Sequence, residues 1–216
     1  EYTITIADTL DTLHYIISAV DTSGNWNNTR IKDVTILDND PPSLDADNSD
    51  AYGTTGDTFH FNISASDNIG VDSINISWSH GSLSGNVALT AIGNYWVGTI
   101  ILDHSISSLN YTIQINDTSG NYVRISKSVP VYDNDKPHIT DNTPSYGTTG
   151  DSFTFNASIV DNIEVSNVYV EYWYNNGSHT NVSMNILGDY YEYTITIADT
   201  LDTLHYIISA VDTSGN

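Results

Sequence analysis

Three short acidic motifs concentrate the side chains of this sequence that are capable of chemistry. Asp38-Asn39-Asp40 precedes two prolines and returns as Asp133-Asn134-Asp135 ahead of Lys136 and Pro137. The tetrapeptide DNIG at Asp67 returns as DNIE at Asp161, and DTSGN starts at Asp21, Asp117 and Asp212. Asp and Asn oxygens, with backbone carbonyls, are the donors a hard cation takes. Ca2+ accepts about six to eight such ligands in flexible geometry, whereas Mg2+ holds a tight octahedron and keeps its waters. The same residues also shape turns without any ion, and an acidic surface is a common habit of proteins in high salt. Both readings of the acids stand at this point.

The balance of charge narrows the partners. Of 216 residues, 27 are Asp or Glu and only five are Lys or Arg, a net charge of −22. Phosphates and anionic membrane surfaces recruit basic clusters, so neither nucleic acid nor a membrane is expected to contact this segment. No apolar run is long enough to span a bilayer. The absence of cysteine excludes disulfides, thiolate metal sites and cysteine nucleophiles. Catalytic motifs are missing too. GTTGD lacks the Lys and the spacing of a phosphate-binding loop, and neither G-x-S-x-G nor H-E-x-x-H occurs. The seven His show no metal-ligand spacing among themselves and are expected at surface or edge positions. No enzyme activity and no catalytic residue are expected.

The acidic motifs recur because the chain is a repeat. Residues 1–25 return unchanged as 192–216, an offset of 191. Half that length separates the diverged copies: Asp38 and Asp133 differ by 95, and YGTTGD at Tyr52 and Tyr146 by 94. The basic module is therefore about 95 residues, and two modules form the longer unit. Residues 1–37 read as the C-terminal part of one module, 38–132 as a complete module, and 133–216 as a module lacking its last strand. That strand should resemble Trp26–Leu37. The sequence is expected to be a window on a longer array.

Each module alternates with a period of two, the signature of half-buried strands. Thr58–Ser66 sets Phe59, Phe61, Ile63 and Ala65 on one face, and Phe153, Phe155, Ala157 and Ile159 repeat the pattern. Ile74, Ile76 and Trp78 match Val168, Val170 and Tyr172; Tyr111, Ile113 and Ile115 match Tyr206, Ile208 and Ala210. Val129 and Val131 read as a short last strand. Asp8–Leu13 is expected to make at most one short helical turn.

Seven or so short strands at this spacing suit an all-β immunoglobulin-like or fibronectin type III-like sandwich. Trp78 falls where a strand-C Trp lies, and Leu109–Tyr111 and Leu204–Tyr206 resemble the start of strand F with its corner tyrosine. D-x-S-G-N, a strand and then D-N-D-x-P, together with GTTGD, FTFN and DNIG, resembles the tandem Ig-like repeats of archaeal and bacterial surface proteins of the S-layer and adhesin-like kind. The resemblance implies an extracellular, cell-surface location. It also implies that the incoming linker, the BC loop (DNIG) and the FG hairpin (DTSGN) share one end of each sandwich. Asp38, Asp40, Asp67 and Asp117 would then meet at one pole, and Asp133, Asp135, Asp161 and Asp212 at the next. Ca2+ is the ion expected there. A second acidic group, Asp45, Asp47, Asp50 and Asp141, is expected near the opposite pole and solvated.

Eight N-x-S/T sequons, at Asn27, Asn62, Asn75, Asn110, Asn116, Asn156, Asn176 and Asn181, mark candidate N-glycan sites. Asn62, Asn75 and Asn156 fall on outward faces of strands. Two functions follow. One is a semi-rigid rod, surface filament or S-layer element that assembles with itself, its junctions stiffened by Ca2+. The other is an adhesin whose modules bind a glycan or protein on another cell, with the aromatic run Tyr169–Tyr174 as its recognition patch.

Overall fold

The computed structural model describes all 216 residues and is all-β, without a helix. Residues 38–132 close a complete sandwich. One sheet runs in the order Thr90–Ile92, Tyr95–Ile101, Thr58–Ser66, Ser43–Asp47; the other runs Tyr122–Val129, Leu109–Asp117, Val71–His80, Leu83–Ala88. This D-E-B-A sheet over a G-F-C-C′ sheet is the immunoglobulin-like arrangement. Val131–Tyr132 leaves the last long strand and pairs in parallel with Gly53–Thr54. The expected short final strand at Val129 and Val131 is therefore two elements, an eight-residue strand starting at Tyr122 and a separate bridge.

Alternation places the core where the sequence put it. Phe59, Phe61, Ile63, Ile74, Ile76, Ile113 and Ile115 are all at most 1% exposed. Removing each such side chain from water stabilises the fold by about 1.5–3 kcal/mol. Residues 133–216 repeat the plan, with His138–Asp141, Ser152–Val160, Tyr190–Thr196 and Asn185–Leu187 in one sheet and Thr180–Ser183, Val165–Tyr174 and Leu204–Asp212 in the other. Phe155 and Val170 anchor its core. Residues 1–37 form two two-stranded pairs, Leu13–Tyr15 with Lys32–Val34 and Ser18–Val20 with Trp26–Asn28, and they bury no core of their own. Asp8–Leu13 makes no helical turn; the Thr9 N–H instead donates to the Ala7 carbonyl at 2.8 Å.

The second acidic group is structural rather than merely solvated. The buried Tyr111 hydroxyl donates to Asp47 Oδ2 at 2.8 Å, and Tyr206 repeats the bond to Asp141 Oδ2 at 2.7 Å. Each bond ties strand F to the last residue of strand A. Burial, with the Asp47 carboxylate beside it, pushes the Tyr111 phenol well above its ordinary value. Asp50 accepts from the His60 backbone and ring, and Asp45 accepts from the Ser66 hydroxyl. One histidine also departs from its expected surface place. His80 is 1% exposed, accepts the Asp103 N–H at Nδ1 and donates from Nε2 to the Ser105 carbonyl, each at 3.0 Å.

Tyr111→Phe removes one hydrogen bond to a charged group and leaves Asp47 half-buried. It is expected to cost about 2 kcal/mol in urea unfolding, equally with and without Ca2+. An unchanged midpoint would show that the tyrosine–aspartate tie carries no stability.

Candidate metal centres at the module poles

Each pole is assembled by turns that close on their own aspartates. In the FG hairpin Asp117 Oδ1 accepts the N–H groups of Ser119, Gly120 and Asn121 at 2.8, 2.6 and 2.8 Å, and Asp212 repeats this with Ser214, Gly215 and Asn216. Gly120 and Gly215, at φ +98° and +95°, supply a backbone conformation that other residues rarely adopt. In the BC loop Asp67 Oδ2 accepts from the Ile69 and Gly70 amides, and Asp161 Oδ2 from Ile163 and Glu164. In the linker Asp38 Oδ1 and Asp133 Oδ1 accept the amides two residues on.

The three turns are then tied together. The Thr118 N–H donates to the Gly70 carbonyl and the Thr213 N–H to that of Glu164, which joins FG to BC. The Asn121 amide donates to the Asp38 and Asp40 carbonyls, and that of Asn216 to the Asp133 carbonyl, which joins FG to the linker. A β-bulge where strand F meets the start of strand C, at Asn116/Asp117 and again at Val165/Asn167, re-aims the chain at the same place in both modules.

The result is two equivalent trios. Asp38, Asp67 and Asp117 bring one carboxylate oxygen each within 4.8 Å of the others, and so do Asp133, Asp161 and Asp212. Asp40 and Asp135, expected as fourth members, stand outside the trios. Their Oδ2 atoms accept from Asn68 at 3.4 Å and from Asn162 at 2.9 Å. At the effective dielectrics of a protein surface, each pair of charges at this separation costs about 1–4 kcal/mol. No basic side chain offsets that repulsion, because the molecule's ion pairs all join a His to a carboxylate elsewhere.

The oxygens that the turns do not use decide the chemistry. Asp38 Oδ2 and Asp133 Oδ2, and likewise Asp67 Oδ1 and Asp161 Oδ1, are buried without a hydrogen-bond partner. Asp133 as a whole is only 9% exposed. A buried unpaired carboxylate oxygen is costly, and turn formation alone does not account for it, since each turn is closed by the other oxygen. Asp117 and Asp212 differ, because both of their oxygens already accept bonds within the hairpin. Burial opposes their charge, but the bonds from Asn121 and Asn216 and from the hairpin amides outweigh it and hold both below the ordinary carboxylate value. The donor set at each pole is all oxygen, including the buried, unpartnered Asn162 Oδ1 at the second. It fits a hard divalent cation.

The second pole abuts the far end of the preceding module. Thr55, 1% exposed in the GTTGD turn, donates to Asp133 Oδ1 at 2.9 Å and accepts from Asn162 Nδ2 at 3.0 Å, while Asn134 donates to Asp57. The trio thus sits at the module junction.

The sequons fall into two groups. Asn27, Asn110, Asn176 and Asn181 are exposed. Asn62, Asn75, Asn116 and Asn156 point outward but are half-covered by neighbours; Asn116 donates to Ser73, and Asn156 donates to Glu192 at 2.6 Å. In the Tyr169–Tyr174 run, Trp173 lies between the rings of His179 and His205, stacked on them at centroid distances of 4.1 and 5.5 Å. Its faces are taken up within the sheet.

No protein-family profile and no curated protein sequence matches the chain. Among solved structures it is similar to a tetra-tandem repeat from the extending region of a large adhesion protein, at 17% identity and a TM-score of 0.38, over 95% of this chain and 54% of that one. It thus spans about half the length of that structure. A 1.5-MDa bacterial ice-binding adhesin structure is similar at 11% identity and a TM-score of 0.39, over 96% and 71% of the two chains. An E-to-A mutated variant of titin domains I67–I69 is similar at 16% identity and a TM-score of 0.41, over 81% and 62%.

The depressed carboxylates fix a pH dependence. The hairpin bonds of Asp117 and Asp212 contribute stability above the unfolded carboxylate value of 3.8 and lose it as pH falls through their lower folded values. Thermal melts in EDTA should therefore hold their midpoint down to about pH 4 and fall below it. A midpoint that starts falling near pH 6 would place the sensitive groups elsewhere.

Proposed function

We propose that this chain is a segment of an extracellular structural repeat protein whose Ig-like modules form a semi-rigid rod, with Ca2+ held at each junction. The observation that carries the reading is the repetition of the same orphaned oxygens, Asp38 with Asp67 and Asp133 with Asp161, beside a third carboxylate in both modules. A cation there replaces mutual repulsion with shared ligation. It also fastens the linker to the BC and FG loops, so the angle at which one module leaves the next is fixed. Modules outside cells hold Ca2+ with dissociation constants of about 0.1–1 mM, which suits an ion supplied by the medium. Exposed Asn110, Asn176 and Asn181 are the sequons best placed for glycans along the sides of the rod, and self-assembly into a surface filament or lattice is the role this architecture serves. The adhesin alternative needs an open recognition face, and the stacked Trp173 row does not supply one.

A calorimetric melt tests this. Ca2+ at about ten times its dissociation constant adds about 1.4 kcal/mol per site, a rise of roughly 5 °C in Tm, and Mg2+ should not reproduce it. Because Asp67 and Asp161 also close their own turns, Asn is the discriminating replacement. Asp67→Asn or Asp161→Asn should lower Tm in Ca2+ but not in EDTA, where removing one charge from the trio relieves repulsion and holds or raises Tm. Equal losses in both buffers would mean a turn defect, and a rise in Tm with molar salt but not with Ca2+ would assign the acids to life in brine.

A further inference from the structure

Strand F of the second module is the open edge of its sheet. Leu204–Asp212 pairs with Val165–Tyr174 and ends the strand order there, whereas its sister Leu109–Asp117 is covered by Tyr122–Val129. The inward residues record the difference. Leu109, Tyr111, Ile113 and Ile115 are at most 4% exposed, while Leu204, Tyr206, Ile208 and Ala210 are only half-buried. Beside this edge lies a cleft of about 510 Å3 lined by Tyr146, Gly147, Phe153, Tyr174, Leu204 and Tyr206. In the sister module that place is filled. Val131 is buried, pairs with Gly53, and sets its Cγ2 3.4 Å from where a Gly53 Cβ would stand. The Tyr132 ring meets Tyr52 edge-on. Gly147 and Tyr146 are the copies of Gly53 and Tyr52, and Tyr146 stands 82% exposed.

A strand that fits this edge lies near the start of the same chain. Residues 26–37 precede Asp38-Asn39-Asp40 as residues 122–132 precede Asp133-Asn134-Asp135, which sets Val34, Ile36 and Leu37 in the places of Val129, Val131 and Tyr132. The register agrees: Leu13 pairs with Val34 and Tyr15 with Lys32, as Leu109 pairs with Val129 and Tyr111 with Lys127. The partner stretch, residues 13–20, is identical to residues 204–211 but backs onto no core. An isolated hairpin of this kind is marginal in water. Moving residues 26–37 from the first copy of strand F to the second exchanges like ladder for like and adds burial of Val34, Ile36 and Leu37. The charges also agree. Arg30 and Lys32 lie in this segment, whereas Lys136 is the one Lys or Arg among the acids of residues 133–216.

We propose that residues 26–37 of one copy of the chain supply strand G to residues 133–216 of the next. Pairing along the open edge holds the strand, and the cleft at Gly147 takes its alternate side chains, as in other cases of β-strand addition. The contact is heterologous and does not close on itself, so copies add head to tail into a filament. Because Asp38 follows Leu37 directly, each addition carries the first acidic pole to the far end of the neighbouring copy, just as Val131–Tyr132 carries Asp133 to Thr55. This assembly rests on the rod reading above and not on its cation.

Sedimentation velocity of the 216-residue chain in EDTA, over a concentration series, tests this. A ladder of dimers, trimers and longer species that grows with concentration is expected. Val34→Asp, at a position 40% exposed in the single chain, should leave the fold intact. It should shift assembly to concentrations about tenfold higher or more, because the joined strand would bury a carboxylate. The sequence has no cysteine, so an introduced thiol pair reads the register directly. His14 faces Asp33 in the present ladder, and His205 is the copy of His14. Asp33→Cys with His205→Cys should therefore cross-link copies into a ladder on oxidation, since facing strand residues lie within disulfide reach. Asp33→Cys with Ile207→Cys, two residues off on the same face, should not. A monomer at every concentration, or oligomers that Val34→Asp leaves unchanged, would overturn the proposal. Dimers alone, cross-linked by His205→Cys by itself, would mean that two Leu204–Asp212 edges pair with each other and would overturn it as well. A ladder that persists while Ca2+ fails to raise Tm would overturn the ion and leave the assembly standing.

Discussion

The arrangement of each pole depends on a division of labour within single carboxylates. One oxygen of Asp38, Asp67, Asp133 and Asp161 closes a tight turn by accepting a backbone amide, and that bond sets the direction of the other. Three loops from distant parts of the sequence each present such a residue, and the sandwich brings the loops to one end. The turns are satisfied without an ion; the assembled pole is not. Local structure and the orphaned oxygens therefore arise from the same residues at different levels, the first from a few consecutive amides and the second only from tertiary packing.

This explains what could be read in advance. Strict alternation at Phe59–Ile63 and Ile113–Ile115 made the strands and the core legible, because one buried face forces a period of two. The meeting of the three acidic motifs followed from the sandwich topology. Which three of the four aspartates at each pole would converge did not, since Asp40 and Asp135 differ from Asp38 and Asp133 only in where a two-residue turn points them. The tie between Tyr111 and Asp47 spans 64 residues and leaves no local pattern. His80 is buried because two backbone groups happen to satisfy both ring nitrogens, which no spacing rule announces. Trp173 reads as a free aromatic until His179 and His205 are seen on its two sides.

Tandem architecture gives these details a mechanical meaning. Residues 38–132 and 133–216 each have their own core, so in the proposed rod the mechanical properties would be those of the junctions. The junction between residues 38–132 and 133–216 is polar, made of Thr55, Asp57, Asp133, Asn134 and Asn162. Polar contacts of this kind hold an angle without the large apolar burial that would make it permanent, so the cation proposed at the pole would set the stiffness of the junction.

The central claim is that the orphaned carboxylate oxygens are cation ligands. Anomalous diffraction from crystals of the chain grown in roughly 10 mM CaCl2, above the range in which extracellular modules saturate, tests it most directly. The account predicts one peak at each pole, about 2.3–2.6 Å from Asp38 Oδ2 and Asp67 Oδ1 at the first and from Asp133 Oδ2 and Asp161 Oδ1 at the second. Well-ordered poles with no peak, and those oxygens turned to water or to a neighbouring amide, would contradict it.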